Sequence, residues 1–145
     1  MKRFSFSLQK LLDLREFREK QAELALGKAI SARDVIQLEL QNVGRKRVEA
    51  AYERQKNNTI QDLLAIENYI NRLDKKKDQL LEDLAAAELV VEKVREDYLA
   101  ATRDRQVLSK LKEKKVAAWH KDGLEEEAAI LDDITNSRFR KSNEI

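Results

Sequence analysis

From Leu63 to Trp119 an unbroken alternation of three- and four-residue steps meets an apolar residue at thirteen of seventeen positions. The stripe reads Leu63, Ile66, Ile70, Leu73, Lys77, Leu80, Leu84, Ala87, Val91, Val94, Tyr98, Ala101, Arg105, Leu108, Lys112, Lys115 and Trp119, which is eight heptads. A helix lying on a globular core drifts out of a 3.5-residue repeat over such a length, whereas supercoiled helices keep it. The rest of the chain must therefore supply a partner helix.

Composition leaves room for little else. Only 3 of 145 residues are Gly and none is Pro, so few reversals are available. Charged residues make up 39% and aromatics 6%, which argues against a multilayer core and for long helices.

The first helical stretch is less sharply patterned. Stepping from Phe4 gives Phe4, Leu8, Leu11, Arg15, Arg18, Ala22, Ala25, Ala29, Ala32, Ile36, Glu39, Val43, Lys46, Ala50 and Glu53, of which ten of fifteen are apolar. Leu12, Leu26, Ile30 and Leu40 mark a neighbouring stripe, so the register is not unique. Ser7 is placed to cap this helix, with Phe6 and Leu11 as a hydrophobic staple. Gly27 and Gly44 weaken its interior by about 1 kcal/mol each relative to Ala. Lys56-Asn57-Asn58-Thr59 reads as the reversal, because Asn tolerates left-handed backbone angles. Thr59 is then the cap of the second helix, with Asp62 three residues on as its capping-box partner.

These readings predict an all-α chain: two long helices in an antiparallel coiled-coil hairpin forming one domain over 1–145, with helix 1 about 7–56, the turn 57–59 and helix 2 about 60–137. With the turn centred on residue 58, facing positions sum to about 116, as expected for helices joined by a short connection. The alanines at 22, 25, 29 and 32 would face residues 84–94, and Leu8 would face Leu108. Helix 1 would run out near residue 111, leaving Trp119, His120 and Glu125-Glu126-Glu127 on an overhang of the longer second helix.

The functional classes open to such a chain are narrow. With no Cys there is neither a disulfide nor a thiolate metal site, and His120 stands alone. The glycines at 27, 44 and 123 form no phosphate-binding loop, and two paired helices enclose no catalytic pocket. Neighbouring acids such as Glu82 and Asp83 do not face each other on a helix. The expectation is a protein that is not an enzyme, with no cofactor and no metal. A net charge of +2 is far from that of a dedicated nucleic-acid binder. No run approaches the roughly 18 apolar residues that a membrane span needs, and Lys10, Asp13, Arg15 and Glu16 interrupt any apolar signal region near the start.

Charge is distributed unevenly. Residues 45–56 carry a net +3, residues 78–97 a net −5 and residues 103–115 a net +4. Residues 1–13 add +2, so the end holding the start of helix 1 and the basic part of helix 2 carries about +6. That end is either a screened, solvated one or a docking surface for an acidic partner. Tyr52, Tyr69 and Trp119 are likewise either seam edges or interface anchors.

Two segments carry a family resemblance. Phe4-x-Phe6-x-Leu8-x-x-Leu11-Leu12-x-x-Arg15 resembles the opening of the flagellar export protein FliJ family. Arg103-Asp104-Arg105-Gln106-Val107-Leu108-Ser109-Lys110-Leu111-Lys112-Glu113-Lys114-Lys115 is similar to that family's basic segment. The resemblance implies a stalk-like antiparallel coil whose termini-bearing end sits in the hexameric flagellar export ATPase. Its turn end would reach the membrane export gate protein FlhA, and export chaperones would also bind it. Phe4, Leu8, Leu11, Leu12, Arg15, Arg103, Arg105, Lys110, Leu111 and Lys115 would then serve the ring end. Val48, Tyr52, Tyr69 and Leu73 would face the gate. The implied location is cytoplasmic, peripheral at the inner membrane, with no direct membrane insertion and no nucleic-acid partner. The equivalent stalk of a virulence type III secretion system and a generic coiled-coil scaffold are the alternatives.

Overall fold

A computed structural model of the protein describes residues 2–56 and 59–143. It contains two helices, α1 (Gln9–Arg54, 46 residues) and α2 (Ile60–Asn143, 84 residues). The architecture is an all-α antiparallel hairpin, and the described residues contain no strand. Asn57 and Asn58, at the centre of the expected turn, lie outside the described residues. Two compact units divide the chain: Glu19–Ala101, which holds the reversal, and the stretches up to Arg18 and from Thr102 onward.

In the first unit the core is the cluster of Val43, Leu73 and Leu80, backed by Ile36 and Leu40. Ala50, Ile70 and Val91 are also buried. On α2 the buried positions Ile70, Leu73, Leu80 and Val91 are those of the expected stripe. On α1 the stripe is half right. Ala22, Ala29, Ile36, Val43 and Ala50 line the seam, but the alternate positions are Glu19, Leu26, Arg33 and Leu40 rather than Arg18, Ala25, Ala32 and Glu39. The neighbouring stripe wins because Leu26 and Leu40 bury far more apolar surface than an Ala and a Glu can.

Arg47 and Arg54 reach across to Asp74 and Glu67. Both pairs sum to 121, so the helices are offset by about a turn from the expected register. Arg54 lies beside Glu67, which leaves the first turns of α2 beyond the end of α1, where Ile60 and Leu64 are exposed. The start of α2 follows expectation. The Thr59 hydroxyl accepts from the Asp62 amide at 3.2 Å, and the Asp62 carboxylate accepts from the Thr59 amide at 3.3 Å.

In the second unit Leu12 and Leu108 are buried whereas Leu8 is 37% exposed, so Leu12 rather than Leu8 lies in the seam. The Gln9 amide donates to the Phe6 carbonyl and the Leu12 amide to the Leu8 carbonyl, so Leu8 rather than Ser7 is the cap position of α1. Residues 2–6 are not helical. The Phe4 ring sits 5.9 Å from Trp119, and Trp119 Nε1 donates to the Lys2 carbonyl at 2.9 Å. Trp119 is thus covered and does not lie on the overhang, which begins after the buried Gly123. From Leu124 to Asn143 every residue of α2 is exposed.

Candidate partner-binding surfaces

Ten of the candidate residues share the unit built from the N-terminal stretch and α2 beyond Thr102. They have two kinds of role there. Leu12 is buried in the seam, and Leu111, Phe4, Arg15 and Arg105 are half-buried. Arg15 Nη1 donates to the Asp104 carbonyl at 2.7 Å, a contact that ties α1 to α2 and fixes the guanidinium. Arg105 donates to the Ser109 hydroxyl one turn on, at 3.2 Å. Leu8, Leu11, Arg103, Lys110 and Lys115 are exposed. These five are two leucines, two lysines and one arginine.

In the same unit runs an open groove of about 520 Å³ lined by Leu12, Glu16, Ser109, Lys112, Glu113, Val116, Ala117 and His120. Sequence reasoning did not single it out. Glu16, Val116 and Ala117 belong to no apolar stripe, so their convergence depends on the true register of α1 against α2. Its walls combine apolar side chains with two carboxylates, one ammonium and the sole imidazole.

The candidates near the turn do not form one surface. Leu73 is buried in the core and packs against Val43. Tyr69 lines an open groove with Lys46, Glu49, Ala50, Glu53, Ala65 and Ile66. Val48 and Tyr52 are four residues apart, so they share another face of α1, where both are more than 60% exposed. Each tyrosine has a cation over its ring. Lys56 Nζ stands 5.6 Å from the Tyr52 centroid and the Arg72 guanidinium 5.9 Å from that of Tyr69.

One polar pair here is perturbed. The Arg47 Nε–H donates to Asp74 Oδ1 at 2.6 Å. That hydrogen bond holds the Asp74 carboxyl below its usual range and raises the Arg47 guanidinium above its own. Both groups are half-exposed at the edge of the seam, and the pair positions the helices rather than doing chemistry. No helix is long and apolar enough to cross a membrane, and no cluster of three or more potential metal ligands occurs among the described residues.

No curated protein and no solved structure matches the chain. A family model described as flagellar FliJ protein does match, over residues 4–144. That match takes in both motif segments and both helices. The chain therefore belongs to the flagellar FliJ protein family and is a component of the flagellar export apparatus.

Proposed function

We propose that the chain works as a single coiled-coil domain over residues 1–145 and forms the non-enzymatic stalk of the flagellar export ATPase. The unit holding the N-terminal segment enters the hexameric ring. The unit holding the reversal reaches toward the membrane export gate protein FlhA, at the cytoplasmic face of the inner membrane. Escort of export chaperones belongs to the same reading. The observation that supports it best is that one unit exposes two leucines, Leu8 and Leu11, and three bases, Arg103, Lys110 and Lys115. Such a surface suits acidic, partly apolar subunit walls, since charge steers the encounter and apolar contact holds it. An asymmetric insert touches each ring subunit differently and so biases its conformation, which is a coupling free energy.

With Leu12 and Leu73 buried, ring contact falls to the five exposed residues with Phe4, Arg15, Arg105 and Leu111 at their edge, and gate contact to Val48, Tyr52 and Tyr69. The test is stimulation of the purified ATPase by the protein carrying Lys110→Glu, Lys112→Glu and Lys115→Glu together. Stimulation should be lost in the variant and should weaken with salt in the unaltered protein. Equal stimulation by both proteins at every salt concentration removes the basic end from the mechanism.

A further inference from the structure

The terminal part of α2 carries a second seam that no described residue covers. Leu124, Glu127, Leu131, Ile134, Arg138 and Lys141 follow steps of three and four. Leu124 lies one residue beyond the buried Gly123, about 100° around the helix from it. Leu124, Leu131 and Ile134 are 56%, 63% and 46% exposed, and Ile130 flanks them at 52%. Among the described residues, no hydrogen bond or ion pair engages Glu127 or Arg138. An amphipathic helix with a row of exposed branched side chains calls for a covering partner.

The arrangement of charge says which partner fits. When a second copy lies antiparallel, positions summing to 265 face one another, and each seam residue then meets a seam residue. Leu131 meets Ile134, Leu124 meets the stem of Lys141, and Glu127 meets Arg138, each twice by symmetry. A parallel pairing in register would stack Glu127 on Glu127 and Arg138 on Arg138, which like-charge repulsion disfavours. We infer that the protein self-associates through an antiparallel pairing of residues 124–141, held by Leu131 and Ile134 and oriented by the Glu127–Arg138 pairs. The seam is short, so the association is weak and reversible, in the micromolar range or above.

Sedimentation equilibrium of the full-length protein between about 1 µM and about 300 µM tests this, a span that brackets micromolar association. A monomer–dimer equilibrium is expected. Leu131→Asp should leave only monomer with helical content unchanged, because the side chain it replaces is exposed. Glu127→Lys and Arg138→Glu should each weaken the dimer at least about tenfold, and the double variant should recover most of the loss. A monomer throughout the range overturns the proposal. So does a dimer indifferent to Leu131→Asp, which would point to exchange of helices between copies, and so does failure of the double variant to recover. Association only with another protein would reassign the face to that protein.

Discussion

The rings of Phe4 and Trp119 lie 5.9 Å apart at 59°, joining a non-helical N-terminal segment to the far part of α2. Trp119 is the only tryptophan in the chain, so its emission reports this contact alone. Phe4→Ala should shift the emission to the red and increase quenching by acrylamide. It should also lower stability by about 1–2 kcal/mol, the aromatic contact plus its buried area. Emission unchanged by the substitution would show that the segment does not rest there.

Leu80 and Leu81 are neighbours with opposite fates. Leu80 is buried against Val43 and Leu73, whereas Leu81 is 46% exposed. Leu80→Ala should cost about 2–4 kcal/mol, and Leu81→Ala no more than about 0.5 kcal/mol. Urea denaturation of the two variants checks the difference, which would vanish if the seam lay elsewhere.

The Asp74 carboxyl, held low by Arg47, links stability to pH. Its folded-state value lies below its unfolded one, so its contribution is present above the ordinary carboxylate range and is lost as pH falls through the lowered value. Asp74→Asn should therefore reduce the melting temperature at about pH 7, and the gap should close toward about pH 2. A gap that stays constant across that range would separate the carboxyl's charge from its effect.

The Thr102 hydroxyl is buried with no hydrogen-bond partner among the described residues. Replacing it by a methyl of similar size removes an unmet polar group, so Thr102→Val should raise stability by about 1 kcal/mol. Thermal melts of the two proteins measure it, and a loss of stability would mean that the hydroxyl has a partner in solution.

The second helix was legible because its seam is nearly all apolar. Positions such as Ile70, Leu73, Leu80 and Val91 repeat without competition from an adjacent stripe. The first helix was legible only in part. Its seam includes Glu19, Arg33 and Arg15, which hydropathy assigns to solvent. A reader of apolar spacing alone prefers Ala25 and Ala32 to the charged positions beside them. Trp119 was misplaced for a different reason: no pattern in residues 2–6 says that they lie outside the helix and rest on Trp119. Among the candidate binding residues, Lys110 and Lys115 were readable as exposed bases. Leu73 already stood in the expected stripe of α2, whereas the burial of Leu12 followed from the register of α1, which residue type alone does not fix.

Arg47 with Asp74 and Arg54 with Glu67 together work as a vernier. If α1 slipped by one heptad in one direction, Arg54 would find Asp74, but Arg47 would stand against Leu81. Slipped the other way, Arg47 would find Glu67 and Arg54 would face Ile60. Only one alignment satisfies both arginines, so two half-exposed pairs of modest strength select among packings that the leucines and valines alone would leave nearly degenerate.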